Sequence, residues 1–300
     1  MATKFPGSGS TRGVPPKLVG GGGGDAVDAA WYEEYTVDFT TQSSAAIAHN
    51  ETFSLGAQTG DGSPATWTAE EDDTGDTDDS LGTLDWVSGS GLKVAPAVGT
   101  NIWNAGLDTP CLTVALSDCI PNLTKRDVIC VQAFTEEPVT IAANHDGYGV
   151  ALYDSASDLA AVNQWVYYRN YYNSGQRLWQ VSGRPAYGAG ENDAGGVASV
   201  PRSFEIVLYL TGGNAVCAHS TSTDTSAAPL DTISTNRAFV QIQGTYPSTT
   251  GTFVEPALGI PVSDLRLALV AFKVSSGTSF YNYFSSVRIL RLGGRDGGAD

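Results

Sequence analysis

From Tyr35 onward the chain is written in short runs whose apolar residues recur at every second position, broken by Gly, Pro, Asn, Asp and Ser. The runs read "YTVDF", "ETFSL", "GLKVAP", "CLTVAL", "DVICVQAF", "VTIAA", "QWVYYR", "RLWQV", "SFEIVLYL", "NAVCAH", "AFVQIQ", "LRLALVAFKV" and "SVRILRL". A period of two puts alternate side chains on opposite faces of an extended chain, the pattern of half-buried strands. In "SFEIVLYLTGGNAVCAH", Phe204, Ile206, Leu208 and Leu210 share one face, and Gly212 and Gly213 supply a turn that returns the chain through Ala215 to His219. That segment predicts a β-hairpin. No long amphipathic helix interrupts the series, and connections of hairpin size favour antiparallel pairing. The pattern predicts an all-β protein, an antiparallel jelly-roll sandwich whose two sheets each bury one face.

The organisation reads as arm, body and tail. The first 24 residues hold eight Gly and three Pro, too little apolar surface for a core, and residues 25–31 are expected to add at most a turn or two of helix. Residues 1–30 are therefore read as an extended Gly/Pro-rich N-terminal arm, 31–292 as the sandwich body and 293–300 as a flexible tail. Residues 60–90 form a polar excursion, expected to be one long acidic surface loop. Sequence self-similarity at a fixed period is absent.

Aromatic residues concentrate in "NQWVYYRNYYNSGQRLW", residues 163–179, with two Trp and four Tyr around an Asn-Ser-Gly turn. On an extended strand Trp165, Tyr167, Arg169 and Tyr171 point one way, and Val166, Tyr168, Asn170 and Tyr172 the other. The return strand alternates Arg177, Trp179 and Val181 with Leu178 and Gln180. Three readings are open: rings filling the core and stacking across strands, a protein interface, where Tyr, Trp and Arg are enriched, or a sugar platform on which pyranose CH groups stack. The residues singled out for glycan or protein contact are Trp165, Tyr167, Arg169, Tyr171 and Trp179.

Charge narrows the partners. Sixteen Lys plus Arg against 32 Asp plus Glu give a formal net charge of -16. Most of such an exterior repels phosphate backbones and anionic lipid, so neither nucleic acid nor membrane insertion is expected. No apolar run reaches membrane-spanning length, and the N-terminus lacks the apolar core of a signal peptide, which reads as synthesis in a cytoplasm. Cys111, Cys119, Cys130 and Cys217 follow no metal-ligand spacing and are expected to be buried thiols. The triplets at Asn50 and Asn122 that match a glycosylation acceptor are then chance matches.

Candidate chemistry is sparse. Residues 70–79, "EEDDTGDTDD", carry seven carboxylates in ten positions. Asp76 and Asp78 have the alternate spacing that directs two carboxylates to one side, the weak candidates for a hard cation such as calcium, although the EF-hand loop pattern is absent. A solvated, solubilising loop is the plainer reading. In "ENDAGG", Glu191 and Asp193 match the start of the Glu-x-Asp-x-x-Glu strand of family-16 glycosidases, but Gly196 stands at the second Glu, so the two-carboxylate mechanism lacks a member. The surrounding Gly and Asn favour a loop there. His49, His145 and His219 are scattered without ligand spacing. With no Walker loop, nucleophile elbow or dinucleotide fingerprint, no cofactor is implied and the chain reads as non-enzymatic.

The C-terminal third, "SDLRLALVAFKVSSGTSFYNYFSSVRILRL", resembles the closing strands of concanavalin-type and laminin-G-type jelly rolls. A Gly/Pro-rich arm before such a sandwich, on an acidic chain, resembles tailed-bacteriophage virion structural proteins: head decorations, head fibres and tail appendages. The resemblance implies an arm that anchors, through Phe5, Val14, Pro15, Pro16, Leu18 and Val19, onto capsid or tail proteins. It also implies a homo-oligomer located in the virion, projecting its sandwich at the particle surface. The alternatives are a lectin-like carbohydrate-binding module that meets a host-surface glycan and, third, a glycosidase.

Overall fold

The computed structural model describes residues 31–70, 82–97, 100, 109–124, 126–136, 147–154, 165–173, 176–183, 192–196, 203–210, 214–220, 237–242, 262–273 and 280–292. Within these, residues 154, 165–173, 176–183, 192–196, 209, 214–220 and 237–242 are described by their backbone alone. Eighteen strands run through the described residues: β1 (Trp31–Asp38), β2 (Ala45–Ile47), β3 (Thr52–Leu55), β4 (Ala57–Gln58), β5 (Ala65–Glu70), β6 (Gly82–Val87), β7 (Gly91–Pro96), β8 (Cys111–Ala115), β9 (Val128–Thr135), β10 (Gly147–Asp154), β11 (Trp165–Asn173), β12 (Gln176–Gly183), β13 (Asn192–Gly196), β14 (Ser203–Tyr209), β15 (Asn214–Ser220), β16 (Arg237–Ile242), β17 (Leu265–Phe272) and β18 (Asn282–Leu292). The α-helix found among them is one turn, α1 (Leu116–Cys119).

The strands form two sheets, and every pairing between them is antiparallel. The first sheet runs β16-β15-β14-β9-β18-β7-β6-β2, with β1 against β18 and β4 against β1. The second runs β13-β12-β11-β10-β17-β8-β5-β3. The all-β antiparallel sandwich predicted from the period-two runs is what the chain builds. The hairpin expected at 203–219 is present, with Phe204 opposite His219 and Tyr209 opposite Asn214.

Alternation explains the core. In the first sheet Ile206, Val131, Ile289 and Tyr35 stand in one register row; in the second, Phe53, Trp67, Val114, Leu267 and Leu152 do. All but the partly buried Phe53 are members of one buried cluster, and Phe53 packs against it. The cluster holds one buried hydrogen-bond relay: Trp67 Nε1 donates to Tyr35 Oη at 2.7 Å, and Tyr35 Oη donates to the Leu55 carbonyl at 2.6 Å. Both polar tips are thereby satisfied without water, so two amphipathic rings serve as core. Burial pushes the Tyr35 phenol well above its ordinary range, with Cys119 nearby adding to the shift.

Burial continues onto the second face of the central strands. Seven of the eight residues of β9, and seven of the eight of β17, are buried. Cys130, Val207 and Leu290 make a small cluster on the outer face of the first sheet, against which Trp31 and Val128 pack. Near the end of β18 Arg291, 4 % exposed, donates from Nη2 to the Pro121 carbonyl at 2.8 Å and lies near Glu34 and Asp127. This guanidinium ties β18 to the segment entering β9 and to the irregularity in β1 between Glu33 and Tyr35.

Four expectations are corrected. Residues 60–90 are not one loop, because β5 and β6 lie inside them: Ala65, Trp67 and Ala69 are buried from β5, and Leu84 and Trp86 from β6. Small Ala residues and flanking acids disguised the alternation. Residues 192–196 of "ENDAGG" form β13, an edge strand of the second sheet, because β12 offers its free ladder and a shift between Leu178 and Gln180 absorbs the glycines. The run "CLTVAL" stops being a strand at Ala115, and Leu116 enters α1. The segment "NHDGYG", 144–149, which reads as a tight turn from its Asp-Gly pair, has residues 147–149 in β10 instead, where Gly147 and Gly149 pair with Phe272 and Val270. The run "VTIAA" and residues 25–30 lie outside the described residues.

Candidate functional site

On the outer face of the second sheet, β5, β8, β10 and β17 bring together polar groups far apart in sequence. Tyr153 Oη donates to Glu70 Oε2 at 2.8 Å, Arg266 Nη2 donates to Thr113 Oγ1 at 2.8 Å, and the same nitrogen lies 3.2 Å from Glu70 Oε1. Glu70 thus has a hydroxyl on one oxygen and a cation on the other. Tyr153 is buried, and desolvation raises its phenol far above the ordinary value, with Cys111 and Glu70 adding to the rise and Arg266 opposing it. A phenol held protonated is a hydrogen-bond donor at neutral pH. Apart from the buried Arg266 Nε, which has no hydrogen-bond partner, these groups satisfy one another, and their first consequence is to tie four strands together.

The ladder extends this face into the aromatic hairpin. Trp165, Tyr167, Arg169 and Tyr171 of β11 stand opposite Tyr153, Ala151, Gly149 and Gly147 of β10. Paired residues share a face, so these four take the face of Tyr153. Further out Arg169 is opposite Gln180, and Gln180 opposite Asp193. Trp179 stands opposite Asn170, a register position on the alternate face. Topology thus gathers the first four singled-out residues with Asp193 and separates Trp179 from them.

A second surface lies on the outer face of the first sheet. Tyr283, Lys93, Asp85 and Ala46 form a single register row across β18, β7, β6 and β2. Lys93 Nζ is 3.2 Å from Asp85 Oδ2 and 5.2 Å from the centre of the Tyr281 ring. Tyr281 and Tyr283 pack edge to face with centroids 5.4 Å apart. Where the row ends, Ala46 and Asp85 help to line a pocket of about 240 Å³ together with Ile47, His49, Glu70 and Thr83. The sequence carried the signal in "FYNYF": Phe280, Asn282 and Phe284 are buried while Tyr281 and Tyr283 between them are half-exposed.

The remaining candidates fall as follows. Asp76, Asp78, Glu191, His145 and the arm residues Phe5, Val14, Pro15, Pro16, Leu18 and Val19 lie outside the described residues. Among the described residues no group of three or more His, Cys, Asp or Glu side chains is arranged to hold a metal. Cys111, Cys119 and Cys130 are buried thiols outside any disulfide; burial, with Asp118 nearby, pushes the Cys119 thiol well up. No described helix is long and apolar enough to cross a membrane.

No family model matches the chain, and no curated protein matches it. Solved structures align with the chain at low similarity. An endo-1,3-β-glucanase from Streptomyces sioyaensis aligns over 88 % of this chain and 97 % of its own, with 8 % identity and a TM-score of 0.45. The CBM2 module of the evolved Dit of Lactobacillus casei BL23 phage J-1 aligns over 89 % and 98 %, with 8 % identity and a TM-score of 0.40. Likeness at this distance carries no functional argument.

Proposed function

We propose that the chain is a non-enzymatic structural protein of a tailed-phage virion, docked by its N-terminal arm onto capsid or tail and projecting the sandwich from the particle. The observation that supports this most directly is the pairing of Trp31 with Leu292, the first residue of β1 with the last of β18. The start of β1 and the end of β18 are therefore neighbours in the first sheet. A Gly/Pro-rich composition suits a tether, since such a chain forms few contacts of its own and spans distance flexibly. Deleting residues 1–24 is expected to leave a folded body that no longer enters particles, read by circular dichroism and by particle composition. Normal incorporation of the truncated chain would sink the reading.

A second reading, carbohydrate contact by the projected body, is favoured by the register that gathers Trp165, Tyr167, Arg169, Tyr171, Gln180 and Asp193 on one face of the second sheet. Rings for stacking and amide, guanidinium and carboxylate groups for hydroxyls are the components a sugar surface needs. A glycan array probed with the full chain and with Trp165→Ala tests it; loss of signal in the variant is expected, and an array without signal removes it.

A further inference from the structure

We propose that the outer face of the first sheet carries a separate binding site for a neutral saccharide, in which Tyr281 and Tyr283 form the stacking platform and Lys93 and Asp85 fix ring hydroxyls. The argument starts from exposure. Phe280, Asn282 and Phe284 take the buried positions of this stretch, so the two tyrosines contribute little to the core they flank and keep part of each ring in solvent. Their edge-to-face contact and the ammonium over Tyr281 fix the ring planes before any ligand arrives, which lowers the ordering cost of binding. Two rigid, half-open aromatic faces suit a partner that is flat and carries CH groups, and a pyranose ring has both properties.

The polar groups narrow the class. Lys93 and Asp85 are 26 % and 28 % exposed at the side chain and paired at 3.2 Å, so the local charge is balanced while donor and acceptor capacity faces solvent. A vicinal diol matches that pair, its oxygens accepting from the ammonium and one hydroxyl donating to the carboxylate. An anionic sugar would meet a chain of net charge -16 and would compete with Asp85 for Lys93, so sialic and uronic acids are disfavoured. Size comes from the pocket that Asp85 shares with Ala46, His49, Glu70 and Thr83 at the end of the row. Its volume of about 240 Å³ is below the roughly 300 to 1,000 Å³ of sites for drug-sized ligands. It therefore suits a single sugar unit, with a neighbouring unit on the tyrosines. The occupant is a short neutral oligosaccharide lying from Tyr283 across Lys93 and Asp85 to the pocket.

The test uses the full chain with cellohexaose, laminarihexaose, maltohexaose and N-acetylchitohexaose at millimolar concentration, followed by saturation-transfer NMR and calorimetry, with sialyllactose and trigalacturonic acid as charged arms. At least one neutral probe is expected to bind, and Tyr283→Ala and Tyr281→Ala are expected to weaken it about tenfold each, in line with an aromatic contact. Tyr283→Trp should retain it, and Asp85→Asn, which leaves both rings in place, should weaken it too. Binding by none of the neutral probes overturns the proposal, as does preference for the charged arms. Binding unchanged in Tyr281→Ala and Tyr283→Ala but lost in Trp165→Ala also overturns it, since the sugar would then lie on the second sheet. None of these outcomes bears on particle incorporation, which the arm deletion reads separately.

Discussion

Phe39 and Trp67 meet with ring centroids 5.4 Å apart at 89°, and Tyr281 and Tyr283 meet at the same 5.4 Å and 77°. The two contacts have nearly the same geometry and opposite settings. The first lies in the core, where Trp86 stacks on Phe39 at 5.7 Å and Phe53 closes on Trp86 at 5.3 Å. The second lies on a sheet face beside a solvent-facing ion pair. Ring-ring contact is worth about 0.5–1.5 kcal/mol in either place, so what separates the regions is the water each ring has given up. A buried ring has spent its surface on the fold, whereas a half-exposed ring keeps surface for a partner.

The largest expected effect tests that division. Trp67→Ala empties a fully buried site and removes the donor to Tyr35, and is expected to cost about 3–5 kcal/mol, measured by denaturant unfolding. Tyr283→Ala should cost less than about 1 kcal/mol by the same measurement. Equal losses would show that the surface pair is structural and would break the comparison.

Next in size come changes around the relay. Tyr35→Phe keeps the ring but leaves the buried Trp67 N–H and Leu55 carbonyl unmatched, a loss of about 1–3 kcal/mol. Gly56→Ala strikes the same hydroxyl from the other side. Gly56 has φ of +73°, and a Cβ there would come within 2.3 Å of Tyr35 Oη and 2.6 Å of the Thr36 carbonyl oxygen. Strain and clash together are expected to cost at least about 2 kcal/mol. A Gly56→Ala protein as stable as wild type would mean that the turn can move away from Tyr35 at little cost.

How much of this was legible follows from where alternation survives in the sequence. "SFEIVLYL" and "VICVQAF" announce strands because large apolar residues fill every second position, and the antiparallel sandwich follows from many such runs joined by short turns. β10 was missed because Gly147, Gly149 and Ala151 occupy the face opposite Tyr148, Val150 and Leu152, and glycine reads as a break in a strand. Yet β10 lies between β11 and β17 and supplies Tyr153, so missing it hid the Glu70, Tyr153 and Arg266 set altogether. Those three residues are separated by 83 or more positions, and only the pairing of strands brings them together. The aromatic hairpin was legible as a hairpin, but which face accompanies Tyr153 depends on its register against β10, and no local pattern encodes register with a distant partner.

Alkaline pH gives a third, smaller contrast. Tyr35 and Tyr153 are raised above the ordinary 10.0 mainly by desolvation, and Cys119 above 9.0 for the same reason. In the unfolded chain these groups lose protons near their ordinary values while the folded protein keeps them bound. Their contribution is therefore complete below about pH 9 and falls as pH rises, by up to about 1.4 kcal/mol per pH unit for each group still protonated only in the folded state. Denaturant midpoints taken upward from pH 8 should decline with that sign, and Tyr35→Phe should shallow the decline above pH 10. An unchanged slope in the variant would mean that Tyr35 ionises in the folded protein much as in the unfolded chain.

The smallest effect concerns the surface pair alone. Tyr283 is raised above its ordinary value by desolvation first and by Tyr281 next, while the Lys93 ammonium pulls it down. Lys93→Met removes the opposing charge, so the Tyr283 phenol should titrate at still higher pH, followed by the ring resonances of Tyr283 in an alkaline NMR titration. Stability near neutral pH should change by no more than about 0.5–1 kcal/mol, because a half-exposed ion pair contributes little. The two readouts part company by design: a phenol that shifts upward in a protein of unchanged stability means that Lys93 acts on the rings without supporting the fold. A Tyr283 titration unmoved by Lys93→Met would place the ammonium too far into solvent to act on that ring. It would also remove Lys93 from the group of residues that present Tyr283 to a ligand.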